Sequence, residues 1–179
     1  MFEKSAIFID GGYFNRLLKE FFGGAQFDYL KFSKRLGELT GTAVLRTHYY
    51  TCMPIKRQGN EKDKERHANM QRFITKLHRL PRFSVKRGRL QFINGVFKQK
   101  MVDVHMSLDL VDMSFDNQIQ HAIIVAGDSD FIPAIERAKN HGTIVHLFYH
   151  PNTVHHQLLD MVDELHVIGE SLITSCKLD

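Results

Sequence analysis

Ala122-Ile123-Ile124-Val125-Ala126-Gly127-Asp128-Ser129-Asp130-Phe131 sets five consecutive apolar residues against a glycine and two aspartates that flank a serine. A short apolar run with no polar alternation, closed by a turn, is the pattern of a central parallel strand covered on both faces. Outward from it, residues 131–140 read as a helix stopped at Gly142, and residues 143–149 as a further strand. The chain opens the same way. Ala6-Ile7-Phe8-Ile9 is a second apolar run, and it breaks at Asp10-Gly11-Gly12.

Between the two runs, residues 13–22 and 29–39 carry helical spacing and end at Gly23-Gly24 and Gly41, and residues 42–50 form a strand closed by Pro54. Residues 60–80 give a long charged helix whose apolar stripe is only Met70, Phe73, Ile74, Leu77 and Leu80. Residues 83–99 read as a β-hairpin, with Asn94-Gly95 supplying a type I′ turn. This helix and hairpin, about residues 56–100, look like an elaboration on the core. A helix over 102–115, a helix over 154–161 and a short strand over 164–168 complete the pattern. Strands alternate with helices, so the expected class is α/β with a mostly parallel sheet and right-handed crossovers.

The 179 residues are 43% apolar and 25% charged, which suits one globular domain and excludes disordered, collagenous and coiled-coil chains. No apolar run approaches the roughly 18–20 residues of a membrane helix, so no membrane partner is expected. Met1-Phe2-Glu3-Lys4-Ser5 lacks the pattern of a signal peptide. The two cysteines, Cys52 and Cys176, form no CxxC pair, and a cytoplasmic location is the expectation. The net charge of +4 is unevenly spread: residues 46–100 hold 15 of the 24 Lys and Arg but three of the 20 Asp and Glu. That asymmetry points to a polyanionic partner, against the plainer reading of a solvated basic helix and hairpin.

In open α/β sheets, ligands bind beyond the carboxyl ends of strands where the strand order reverses. Asp10 stands just past the first strand, and Asp128 and Asp130 just past the 122–126 run. Carboxylates crowded there repel one another and call for a divalent cation, Mg²⁺ or Mn²⁺ by their hard oxygens. Taken singly, each acid also suits a helix cap. Asp103 opens the helix after the hairpin, while Asp109, six residues on, points about 120° away around the axis. Asp103 is therefore the third candidate. The eleven histidines show no ligand spacing, the nearest pair being the adjacent His155-His156, so a zinc site is not expected.

Three blocks together resemble the NYN domain, the LabA-like branch of the PIN-like nuclease superfamily. They are Phe8-Ile9-Asp10-Gly11-Gly12, Lys100-Met101-Val102-Asp103-Val104 with Asp109 downstream, and Gly127-Asp128-Ser129-Asp130-Phe131 with Gly142 and Val145 after it. The resemblance covers roughly residues 5–168. It implies a PIN-like, Rossmannoid sheet of central order 3-2-1-4-5 flanked by helices, and metal-dependent hydrolysis of RNA phosphodiesters. It implies Asp10, Asp103 and Asp128 as metal ligands for Mg²⁺ or Mn²⁺, with Asp130 completing the catalytic cluster and Ser129 near a carboxylate or phosphate. It also implies, by analogy, pairing of two copies. The family often has Asn where this chain has Tyr13, and many members have Gly where it has Met101.

The expected reading is a Mg²⁺- or Mn²⁺-dependent endoribonuclease. Lys100, Arg57, Arg87 and Arg89, with Lys56, Arg72, Arg79, Arg82 and Lys86, are candidates for phosphate contact, and Tyr49, Tyr50, Phe92 and Phe97 for stacking on unpaired bases of single-stranded RNA. The alternative is a non-catalytic RNA- or protein-binding module that keeps the pocket. A haloacid-dehalogenase-type phosphatase would need a second Asp where Gly12 stands.

Overall fold

β1 (Lys4–Asp10) and β5 (His121–Val125) run parallel and adjacent, with Ala6 opposite Ala122 and Ile9 opposite Val125. Their side chains from Ala6 to Ile9 and from Ala122 to Val125 are buried without residue. Alternate positions feed two separate apolar layers, as strand pleating demands. Ile7, Ile9, Ile123 and Val125 meet Phe14, Leu17, Phe32 and Leu36 on one face; Phe8, Ala122 and Ile124 meet Met106, Leu110 and Ile135 on the other.

This computed structural model describes residues 2–24, 26–93 and 95–178, without the side chains of residues 93 and 96–100. In chain order the remaining elements are α1 (Gly11–Phe21), α2 (Tyr29–Thr40), β2 (Ala43–Cys52), α3 (Glu61–His78), β3 (Phe83–Ile93), β4 (Val96–Lys100), α4 (Val102–Phe115), α5 (Ile132–Asn140), β6 (Ile144–Tyr149), α6 (His156–Leu159), β7 (Glu164–Val167) and α7 (Glu170–Ser175). The sheet order is β4-β3-β2-β1-β5-β6-β7, and every neighbouring pair is parallel except β3 with β4. Setting β4 aside, the parallel strands run 3-2-1-4-5-6: the expected central order with one more strand at the edge. No described helix is long and apolar enough to cross a membrane.

The reading of residues 56–100 as an add-on needs correction. Thr47 to Cys52 of β2 pair in parallel with Phe83 to Gly88 of β3, so α3 is the crossover helix joining two core strands. Only Arg89 to Ile93 with Val96 to Lys100 form the hairpin. A crossover helix at the sheet margin needs one narrow stripe. Ile74 and Leu77 are buried and Phe73 packs on Tyr29 and Tyr49, while the charged remainder faces water and disguises the element. The turn residue Asn94 lies outside the described residues; Gly95 has φ +79, in the left-handed region that such a turn uses. Helix α7 leaves no mark in the sequence pattern, because six residues are too few to display a helical period.

Asp109 faces away from the strand-end acids and ties α4 to the sheet. It accepts a hydrogen bond from the Tyr50 hydroxyl at 2.7 Å and ion-pairs with Lys86. Replacing it leaves a half-buried ammonium and a buried hydroxyl without an acceptor. Asp109→Ala is expected to lower stability by about 2–3 kcal/mol in urea unfolding, reading the charged partner at the upper end of the usual range.

Candidate active site

Two chain directions leave the β1–β5 seam, toward β2 on one side and β6 on the other, and the carboxyl ends of both strands open into a cleft of about 420 Å³. Asp10, Asp103 and Asp128 all line it, together with Gly12, Tyr13, Arg16, Thr153 and His155.

Asp10 is the last residue of β1 and the N-cap of α1, its Oδ1 accepting from the Tyr13 backbone N–H at 3.1 Å. Asp128 follows β5 and caps the 3₁₀ turn Ser129–Phe131 that leads into α5; its Oδ1 accepts from Asp130 N–H at 3.2 Å. Capping and cleft lining are thus done by the same side chains. Asp103 stands in the first turn of α4. Its delivery depends on Met101, whose φ of +73 turns the end of β4 directly into the helix. A left-handed backbone is what glycine adopts most readily, so Met101 holds a position that glycine would fill without strain.

The acids feel one another. Burial, and then the charge of Asp103, push the Asp10 carboxyl up to about 6. Burial also raises Asp103, followed by the charges of Asp128 and Asp130. Asp130 is exposed beside this group and does not line the cleft wall. Among the described residues, no three of these carboxylates converge to within 4.8 Å. They stand apart around a shared space.

The far wall is built on Tyr13. Its hydroxyl accepts from the His150 backbone N–H at 3.0 Å and pairs with the Thr153 hydroxyl at 3.0 Å, tying α1 to the segment after β6. Gly127 makes this closure possible: a Cβ there would come within 2.4 Å of the Thr153 carbonyl and 2.5 Å of the Tyr13 ring. His155 N–H donates to the Gly127 carbonyl at 2.9 Å. Arg16 and Thr153 escaped the sequence reading, which weighed His155 only for zinc. Arg16 lies two turns into a helix whose start was visible; the other two follow β6, whose carboxyl end borders the same cleft.

The basic candidates divide. Arg57 is committed to buried Asp63 at 2.6 Å, and Lys86 to Asp109, so neither guanidinium nor ammonium is free for a polymer without breaking a pair. Arg87 and Arg89 are exposed on β3. Ser129 sits in the 3₁₀ turn, and the Lys100 side chain, like that of Phe97, lies outside the described residues. Tyr49 and Tyr50 are fully buried in opposite core layers, so they cannot stack on bases; the part of β2 they occupy, Thr47 to Cys52, is buried on both faces. Phe92 is 61% exposed. A second groove, lined among others by Lys19, Arg57, Arg66 and Leu90, meets the acidic cleft at Gly12.

Residues 4–169 match the family model described as the NYN domain, and the chain therefore belongs to the NYN family, within the PIN-like superfamily. A crystal structure of a protein of unknown function from Vibrio parahaemolyticus shares the fold, with a TM-score of 0.64 at 22% identity over 99% of this chain and 97% of that one. Over 64 residues the chain is 38% identical to the uncharacterized protein y4oD of Sinorhizobium fredii, a stretch amounting to 35% of this chain and 30% of that protein.

Two outcomes are expected. Gly127→Ala collides with backbone and ring at once, and should cost more than 2 kcal/mol in urea unfolding by the overpacking range. Asp10→Asn keeps a competent cap but removes a charge that the fold holds against its preference. The folded carboxyl titrates at about 6 and the unfolded one at 3.8, so wild type bears the full cost above pH 6 and none below 3.8. In chelator, Asn should stabilise the protein by up to roughly 3 kcal/mol at pH 7.5, with the gain shrinking as pH falls toward 4 in thermal melts.

Proposed function

We propose that this chain is a divalent-metal-dependent endoribonuclease. The observation that carries the reading is the meeting of Asp10, Asp103 and Asp128 in one cleft at the point where strand order reverses. Their donor set fits the group it would hold: three hard carboxylates, two of them kept above their ordinary titration range by burial and mutual repulsion, which a dication relieves. Mg²⁺ or Mn²⁺ bound there supplies a lowered water pKa and neutralises charge on a phosphate.

The chain's own residues do the rest. Asp10 and Asp128 are held by their caps, so their carboxylates are oriented before any ligand arrives. Asp130 adds negative charge beside them and favours cation entry. Arg16 on the cleft wall offers a cation to a phosphate oxygen, and the Tyr13–Thr153 contact fixes that wall. The exposed Arg87 and Arg89 would track the RNA backbone on one face of β3, the exposed Phe92 would offer its ring to a base on the other, and the groove through Lys19 and Arg66 would carry the strand toward Gly12. No nucleophilic side chain is required. RNA, preferably single-stranded, is thus the proposed substrate, and pairing of two copies the proposed assembly.

The test is cleavage of a labelled single-stranded RNA with Mn²⁺ by wild type and Asp128→Asn. Loss of at least a hundredfold in rate is expected in the variant, and equal rates would overturn the assignment. RNA binding by both proteins without turnover in any divalent ion would favour a non-catalytic binding module instead. Arg87→Ala with Arg89→Ala should weaken RNA binding and reduce its salt slope by about 1–2, leaving Mn²⁺ affinity unchanged by calorimetry.

A further inference from the structure

At the edge of the sheet, beyond the strands that carry the acidic cleft, β6 and β7 bring together three side chains that the proposed function does not use. His146 pairs with Glu164 in the strand register, and Phe148 with His166. His146 Nδ1 lies 3.1 Å from Glu164 Oε2 and 3.3 Å from His166 Nε2, and His166 Nε2 lies 3.6 Å from Glu164 Oε2. Nitrogen and oxygen ligands held at about 2.0–2.1 Å in a tetrahedron stand roughly 3.3–3.4 Å apart. The three observed separations bracket that value. A point about 2.05 Å from all three atoms lies roughly 0.7 Å out of their plane, which is where a tetrahedral ion sits above three ligands.

The surrounding hydrogen bonds aim these atoms. Glu3 is an acceptor, so the 2.6 Å contact to His121 Nε2 puts the proton on that nitrogen and leaves His121 Nδ1 bare. His121 Nδ1, 2.9 Å from His146 Nε2, then accepts the His146 proton. In these tautomers His146 keeps the lone pair of Nδ1, which faces Glu164 Oε2 and accepts from His166 Nε2–H, so that a cation replacing that one proton would meet three donor atoms. The Glu3–His121–His146 chain is the outer support that metal-binding histidines require. His166 is held by the ring of Phe148, stacked at 4.4 Å and 7°.

We propose that His146, Glu164 and His166 form a binding site for a borderline transition-metal dication, Zn²⁺ foremost. Two imidazoles with one carboxylate select zinc over Mg²⁺ or Ca²⁺, which prefer all-oxygen shells. Among the described residues no fourth His, Cys, Asp or Glu joins the group, and Glu164 is half exposed, so the fourth position opens to solvent. An ion here joins the edge strand β7 to β6 through side chains as well as backbone. The individual histidines gave no hint in the sequence, because the ligands come from strands 20 residues apart and meet only through parallel register.

The full chain, stripped with chelator and dialysed against Zn²⁺, tests this by metal analysis and by competition with a chromophoric chelator. Expected are one tightly held Zn²⁺ in the Asp10→Asn/Asp128→Asn double variant, affinity at least tenfold weaker in Glu164→Gln and in His166→Asn, and a Zn²⁺-dependent rise in Tm that Glu164→Gln lacks. Co²⁺ in place of Zn²⁺ should give the visible absorption of a four-coordinate ion. Circular dichroism of the two single variants checks that they fold. Zn²⁺ affinity unchanged by Glu164→Gln and His166→Asn, Zn²⁺ lost with the cleft aspartates, or no Zn²⁺ bound would each overturn the proposal.

Discussion

Two adjacent parallel strands whose side chains from Ser5 to Ile9 and from His121 to Val125 are buried on both faces leave the chain few choices. β1 and β5 have no wet face, so helices must cover the sheet above and below, and each crossover must return over an apolar layer. With the first half of the chain winding toward β2 and β3 and the second toward β6 and β7, the seam between β1 and β5 is where the two windings part. At its carboxyl end that seam opens into the cleft. Polar groups denied any place along the strands collect there, and Asp10 and Asp128 are the first residues able to reach water.

Local and global demands at that seam pull in opposite directions. Capping α1 and the turn before α5 fixes two carboxylates through good local hydrogen bonds, while their burial and the approach of Asp103 make the ionised forms costly. The fold resolves part of the conflict by making the walls rigid. Tyr13 spans from α1 to the loop after β6, and Gly127 lets that loop come within contact of the strand end. The cleft keeps its shape because its lining is tied on both sides, with the strain confined to charge.

Much of this was legible in the chain. The runs at residues 6–9 and 122–126 declared central strands because no polar residue interrupts them, and the acids behind them could be placed without knowing strand order. The role of residues 60–88 was harder to read. A crossover helix on the sheet margin needs only Ile74, Leu77 and a few neighbours to pack, so its surface chemistry dominates the pattern and mimics an appendage. Tyr49 and Tyr50 misled for a related reason: aromatic residues near basic ones suit base stacking, yet parallel pairing of β2 on both edges buries each of them. Arg16, Thr153 and His155 come from a helix face and a loop whose positions depend on long-range closure. The histidines of β5, β6 and β7 are the extreme case, since only register across three strands makes neighbours of His121, His146 and His166.

β3 is one strand with two kinds of neighbour. Through Gly88 it belongs to the parallel sheet, and from Arg89 onward it pairs only with β4. Strand side chains alternate, so adding two residues to each arm of the outer ladder would extend it without turning any face over, whereas adding one would invert it. Arg87 and Arg89, two apart, share a side. β4 in turn ends one residue before α4. The hairpin is therefore a ruler graduated in pairs of residues. Lineages that inherit this fold can lengthen or shorten their basic arm in those steps while Asp103 keeps its place at the other end.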